Sequence, residues 1–255
     1  MRIDIANVKI DRYSFDEVVA RVIDHASSVK KPEYVVTPNA QHILSLQQDQ
    51  QFREIYRDAF LVVPDGVPLL WAAKFLGTPL NGRVNGTDLF EKLCEKAPQH
   101  HLKIFLLGGR PGAADQARSV LQARHPGLQI VGTYCPPYGF ESDLAELNRL
   151  SAAIKAVQPD ILFVGLGAPK QEKWIYDHYK QLGVPVSLGI GVSFELVANI
   201  VPRAPVYMQK AGLEWLFRLA VEPKRLWQRY ILGNPQFVWL VLQQKLKSSR
   251  QKKSS

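Results

Sequence analysis

The chain has 255 residues, 46% of them apolar, enough to bury a full core as one large or two small domains. Its two cysteines, Cys94 and Cys135, lack metal-ligand spacing, which argues against a structural zinc site and makes a reducing compartment the default. The net charge of +9 lies wholly after residue 202, where eleven Lys and Arg face two acids, whereas 21 of each sign balance in the preceding residues.

The first residues, Met1 to Ile5, alternate charge and apolarity without the apolar stretch of a signal peptide. No apolar run approaches the roughly 20 residues that span a bilayer, so a soluble or peripheral protein is expected. Residues 3–5 and 8–10 read as short strands. Ser14-Phe15-Asp16-Glu17 has capping-box spacing and predicts a helix to about Ser28. A strand over 33–37 leads to helical stretches over 40–46 and 51–58, and a strand over 60–63 leads to a helix over 67–76 that stops at Gly77. The loop 83–89 opens a helix to about Lys96. From Lys103 the pattern is regular: strands over 104–107, 128–134, 160–166 and 184–190 alternate with helices reaching Ala123, over 143–156 and over 171–180. That alternation predicts an α/β fold with a parallel sheet and right-handed crossovers.

After Arg203 the character changes. Apolar helical stretches carry interleaved Lys and Arg, Pro223 interrupts them, and three of the five tryptophans (Trp215, Trp227 and Trp239) fall there. The expected organisation is an α/β core over 1–200, a basic helical appendage over 201–247 and a disordered basic tail over 248–255. A basic, aromatic appendage suits an anionic membrane surface; packing of the same helices onto the sheet, with Trp as core, is the other reading. Nucleic acid is disfavoured, because the aromatics follow helical core spacing and not an exposed stacking face.

The candidate site residues cluster at strand ends. Asp65, in Val63-Pro64-Asp65-Gly66, stands at the carboxyl end of a strand and beside a helix start, where ligands gather in open α/β sheets. A helix N-cap is its other reading. Thr37-Pro38-Asn39 repeats the same grammar, so a hydroxyl, an amide and a carboxylate meet at one sheet edge and make a plausible acceptor-hydroxyl site. The turn Gly108-Gly109-Arg110-Pro111-Gly112 can approach a phosphate or simply pack tightly, and it does not match the dinucleotide GxGxxG fingerprint. Gln171, after Gly167-Ala168-Pro169-Lys170, reads either as a ligand-binding amide or as ordinary capping, and Arg83 as a loop arginine.

Taken in order, these stretches resemble the WecG/TagA/CpsF glycosyltransferases over about residues 5–240. The resemblance rests on Thr37-Pro38-Asn39, Pro64-Asp65-Gly66-Val67-Pro68, Arg83 to Asp88, Leu107-Gly108-Gly109, Pro159 to Glu172, Arg203-Ala204-Pro205, Gly212 to Leu216 with Arg218, and Glu222 to Leu226. It implies a Rossmann-like domain with a C-terminal appendage that helps form the site at the membrane. It implies that Asp65 is the general base, with Thr37 and Asn39 in the acceptor pocket. Arg83 and Gln171 would bind substrate, and Arg218, Arg225 and Arg229 would hold the donor diphosphate. The family commonly shows Phe-Asp and then Ala-Gly after the last strand; here the run is Phe194-Glu195-Leu196-Val197-Ala198-Asn199, which leaves the donor sugar and the role of Glu195 open.

The implied activity is an inverting transfer of N-acetylmannosamine, or a related hexose, from a UDP-sugar to an undecaprenyl-diphosphate-linked sugar. Cell-surface polysaccharide or teichoic acid would be the product, made at the cytoplasmic membrane face. No cofactor is expected, a homo-oligomer is compatible with the sequence, and no nucleic-acid partner is expected. The chain contains no Asp-x-Asp pair, so arginines are the available counter-charge for a leaving diphosphate. The alternatives are another UDP-hexose for exopolysaccharide, a non-catalytic nucleotide-binding module and, disfavoured by the missing fingerprint, an oxidoreductase.

Overall fold

A computed structural model of the chain describes residues 2–210, 212–227, 231 and 233–251. Two short strands, β1 (Arg2–Ile5) and β2 (Val8–Asp11), form an antiparallel hairpin. Its turn residues, Ala6 and Asn7, have φ of 50° and 65°, the mirror-image turn whose twist suits a two-residue hairpin. Helix α1 (Phe15–Asp24) starts at the expected capping box, Ser14 with Glu17, and ends in one wide turn over His25–Val29.

The remaining strands form one six-stranded sheet. In chain order they are β3 (Glu33–Val36), β4 (Leu61–Val62), β5 (Lys103–Gly108), β6 (Gln129–Tyr134), β7 (Ile161–Gly165) and β8 (Val186–Gly189). The spatial order is β4-β3-β8-β7-β5-β6, and every pairing is parallel. Between them run α2 (Ala40–Gln48), α3 (Gln50–Asp58), α4 (Val67–Leu76), α5 (Gly86–Lys96), α6 (Ala113–Arg124), α7 (Leu144–Val157) and α8 (Lys170–Leu182). The fold is therefore the expected α/β, Rossmann-like arrangement of a parallel sheet flanked by helices.

Strands covered on both faces need apolar residues at every position, and Ile104-Phe105-Leu106-Leu107 shows it. Ile104 and Leu106 join one core cluster with residues of α1, α5 and α6, while Phe105 and Leu107 join the other with residues of α2, α3, α4, α7 and α8.

The chain then forms α9 (Ser193–Val197), α10 (Val206–Lys210), α11 (Glu214–Val221), α12 (Pro223–Trp227) and α13 (Gly233–Gln251). This last helix has 19 residues and runs to Gln251, into the tail expected to be disordered over 248–255, of which 252–255 lie outside the described residues. Helix α13 returns to the core. Phe237 and Val241 are 3% and 5% exposed within the same cluster as α2 and α4, and Gln244 accepts from Ala6 N at 2.7 Å while donating to Asp4 O at 3.0 Å. Burying two such side chains stabilises by about 1.5–3 kcal/mol each. The appendage is thus stitched to the hairpin at the other end of the sequence.

Candidate active site

The carboxyl ends of β3, β4, β7 and β8 meet under α11, and Asp65 sits among them. Three backbone hydrogen bonds fix its turn: Val63 N to Val36 O, Asp65 N to Pro38 O and Val84 N to Pro64 O, at 3.0, 2.7 and 2.8 Å. The N-cap of α4 is Gly66, at φ 125°, with Pro68 in the first turn, so Asp65 is not the helix cap. A side chain at Gly66 would be strained at that φ. The Asp65 carboxylate turns instead toward Asn85, whose Nδ2 donates to Oδ1 at 3.1 Å. The other end of that amide caps α5, accepting from Thr87 N at 2.9 Å and Asp88 N at 3.2 Å. One side chain therefore starts a helix and orients the carboxylate.

Two cavities adjoin at this point. The larger, about 360 Å³, lies over the strand ends and is lined by Thr37, Gln171, Gly189, Gly191 and neighbours. The smaller, about 120 Å³, is lined by Pro68, Arg83, Trp215 and Asn234 among others. Asn39, Asp65, Asn85, Glu214 and Arg218 line both. Asp65 stands in the partition between two chambers.

Burial pushes the Asp65 carboxyl up to about 6, and the nearby Glu214 adds to the rise. Arg83, the Asn85 hydrogen bond and Arg218 pull the other way. Arg83 reaches across from the core loop to α11, with Nη1 3.2 Å from Glu214 Oε2 and Nη2 3.7 Å from Asp88 Oδ2. It is mostly buried, and so not the solvated loop charge that a single arginine usually is. Arg203 also pairs with Asp88, so two arginines and two acids tie the appendage to the start of α5.

Gln171 is neither a cap nor a free amide. Its Oε1 accepts from Gly167 N at 3.2 Å and Gly191 N at 3.0 Å, which straps the β7 and β8 turns together, and its Nε2 donates to Glu172 Oε1 at 2.9 Å. Burial raises the Glu172 carboxyl to about 6 despite that bond. Asn39 caps α2 through Gln41 N and His42 N while also lining both chambers.

Gly108, Gly109 and Glu195 form a separate group beyond β7, not among the residues lining the two chambers. A Cβ on Gly108 would lie 2.8 Å from Gly165 O, so glycine there is required for strand ends to approach. Glu195, 5% exposed, accepts from Arg110 N at 2.8 Å and anchors that turn. Arg218 lines both chambers, as noted; Arg225 lies on α12 with its side chain outside the described residues, and Arg229 lies outside them altogether. Asn85 and Glu214 are not among the candidates that the sequence marks. Asn85 has a legible signal, an N-cap Asn two residues after Arg83 and just ahead of an apolar helix, whereas nothing local marks Glu214.

The sequence profile described as the Glycosyl transferase WecG/TagA/CpsF family matches residues 3–251. The chain belongs to that family. It is a glycosyltransferase by that membership. Among curated proteins, the N-acetylglucosaminyldiphosphoundecaprenol N-acetyl-beta-D-mannosaminyltransferase of Staphylococcus aureus (strain NCTC 8325 / PS 47) is 29% identical over 252 residues, covering 98% of this chain and 96% of that protein. The protein of the same name from Bacillus spizizenii (strain ATCC 23059 / NRRL B-14472 / W23) is 30% identical over 220 residues, covering 86% and 82%.

Asn199, the last residue of the run that departs from the expected Ala-Gly, holds φ at 56°. Asn is among the few side chains that adopt this left-handed conformation readily. The turn after α9 is closed by Ile200 N and Val201 N on Glu195 O at 2.9 and 3.2 Å.

Proposed function

We propose that the protein transfers N-acetylmannosamine, or a closely related hexose, with inversion from a UDP-sugar to a sugar carried on undecaprenyl diphosphate, in the synthesis of a cell-surface polymer. The relatives' names supply the substrate class. The observation that carries the mechanism is the position of Asp65 in the partition between two chambers. A transfer needs two substrates to meet at one base, and this carboxylate is reachable from both sides.

In this reading the larger chamber, over the strand carboxyl ends, takes the nucleotide sugar, as such crevices commonly do. The smaller takes the acceptor sugar. Thr37, which the resemblance puts in the acceptor pocket, lines only the larger of the two chambers and so stands on the donor side in this reading, while Asn39 borders both. Asp65 accepts the proton of the acceptor hydroxyl as that oxygen bonds to the anomeric carbon, and the bond from that carbon to the diphosphate oxygen breaks on the opposite face. A positioned base contributes about 10²–10⁴ in rate, and a pKa near 6 suits a base that is ionised at neutral pH yet still basic. Charge appearing on the leaving UDP is met by Arg218 on α11, with Arg225 and Arg229 as further donors and Arg83 holding α11 in place through Glu214. The reaction so drawn uses no metal.

No helix among the described residues is long and apolar enough to cross a membrane. Attachment to the cytoplasmic membrane face through the basic appendage fits the lipid-linked acceptor. Its exposed Tyr207, Trp227 and Trp239 would sit at the headgroup level, with each basic residue near anionic lipid worth about 1 kcal/mol. The deciding experiment incubates the full-length protein with a panel of UDP-sugars and a short-chain N-acetylglucosaminyl diphosphate lipid, read by mass spectrometry. The proposal expects one added N-acetylhexosamine from UDP-N-acetylmannosamine. Transfer of a different hexose would reassign the donor, and nucleotide binding without transfer to any acceptor would make the protein a binding module.

A further inference from the structure

Helices α4 and α13 lie side by side, and between them runs a groove of about 300 Å³ whose lining is almost wholly apolar. Its floor is Phe237 and Val241, both buried, and its walls include Trp71, Phe75 and Val238, which are 64%, 49% and 55% exposed. The surface is concave, with large aromatic side chains standing over a buried floor. Apolar exposure of this kind on a folded chain marks a site that something covers.

Its ends differ. At one end Pro68 and Asn234 line both the groove and the smaller of the two chambers beside Asp65, so the apolar channel continues into the site. At the other end Lys245 Nζ donates to Phe75 O at 2.9 Å and bridges the two helices. Asn234 is the polar residue of the lining, and it stands at the chamber end. Polarity thus falls along the channel from the carboxylate and arginines, past one amide, to aromatic and aliphatic side chains. A ligand with a sugar head and a hydrocarbon chain has the same order of polarity.

We propose that the α4–α13 groove receives the diphosphate-proximal isoprene units of a polyprenyl-linked acceptor whose sugar occupies the smaller chamber. This rests on the transferase reading above for the identity of the acceptor. From Pro68 to Phe75 the helix rises about 10 Å, so only the first part of a long chain lies in the groove and the rest leaves it. The channel's continuity with the chamber favours a chain attached to the acceptor over loose membrane acyl chains, which need no path to Asp65.

Two measurements on the full-length protein test it. In the first, a polyprenyl diphosphate with a photoreactive group in its first isoprene units is irradiated with the protein and the labelled peptides are mapped. Label in residues 67–76 and 233–251, displaced by unlabelled polyprenyl diphosphate and not by phospholipid vesicles, is expected. Label elsewhere, or label displaced equally by vesicles, overturns the proposal. In the second, Trp71→Gln and Val238→Gln, both changes at exposed positions, are assayed with acceptors bearing a polyprenyl or a short alkyl chain. The expected loss in kcat/KM is about tenfold or more with the polyprenyl acceptor and less than about twofold with the short one, given the apolar contact removed. Equal losses with both acceptors, no loss with either, or a loss matched by weaker flotation on acceptor-free vesicles would each count against the groove. Label in the groove without sugar transfer by the wild type would retire the transferase reading and leave the groove standing; transfer without label would do the reverse.

Discussion

Asn85 Nδ2 donates to Asp65 Oδ1 at 3.1 Å while Asn85 Oδ1 caps α5, so the position of the carboxylate and the start of a helix depend on one amide. The two roles separate by mutation. Asn85→Ala removes both, and loss of the cap alone costs about 1 kcal/mol. Asn85→Ser keeps a capping oxygen and loses the donor to Asp65. The serine variant should melt near the wild type yet show a lower kcat and an acid limb of the pH–rate profile moved to higher pH, because a bond favouring the charged carboxylate has gone. An unmoved limb would make Asn85 a cap and nothing more.

The charges around Asp65 predict shifts of opposite sign. Glu214 raises its pKa, so Glu214→Gln should move the acid limb to lower pH. Arg83 lowers it, so Arg83→Gln should move the limb to higher pH. Both variants weaken the tie to α11 alike, so a purely structural role would move both profiles the same way.

Arginines, not a metal, are assigned to the leaving diphosphate. Transfer should therefore persist at full rate in excess EDTA. Loss on chelation, restored by magnesium or manganese, would require a different account of leaving-group stabilisation.

Helices α11 and α13 are joined to the core more tightly than an appendage need be. Removing them takes Phe237 and Val241 out of a shared cluster, at about 1.5–3 kcal/mol each, and takes Glu214 and Arg218 out of the site. A chain ending at Ile200 should melt several degrees lower, expose the faces of α2 and α4, and transfer no sugar. Full transfer to a soluble acceptor by that chain would reduce the appendage to an anchor.

Strand-end grammar made most of this legible. Pro64-Asp65-Gly66 and Thr37-Pro38-Asn39 each follow a β-rich run, and the parallel sheet places β3 and β4 side by side, so those residues had to meet. The helix-cap reading of Asp65 was equally available from sequence, because only the fold shows that Gly66 takes the N-cap and that Asn85 reaches back over 20 residues. From sequence Gln171 reads as a ligand-binding amide or a cap; it lines the larger chamber, and its further use as a strap depends on β7 and β8 being neighbours, which no local pattern encodes. Helix α9 is five residues long, too short for a period to show, and α13 is long because its packing on α2 and α4 outweighs a weakly periodic sequence.

Asp65 also links pH to stability. Its folded pKa, about 6, lies above the ordinary carboxylate value, so its contribution is most favourable below about pH 4, where it is protonated in both states, and is lost as pH rises through 6. Asp65→Asn removes the cost of burying the charge. The variant should gain on the wild type by on the order of 1–2 kcal/mol between pH 4 and 7, after discounting for partial exposure. Melts across that range check the sign, and a wild type that gains on the variant with rising pH would contradict it.

The same variant separates a base from a bystander at the junction of the two chambers. Turnover of Asp65→Asn with a UDP-sugar and a lipid-diphosphate acceptor should fall by about 10²–10⁴ while the donor Kd changes by less than about threefold. Turnover within about threefold of the wild type, in a variant that binds donor normally, would contradict the account and leave the carboxylate as a structural partner of Asn85.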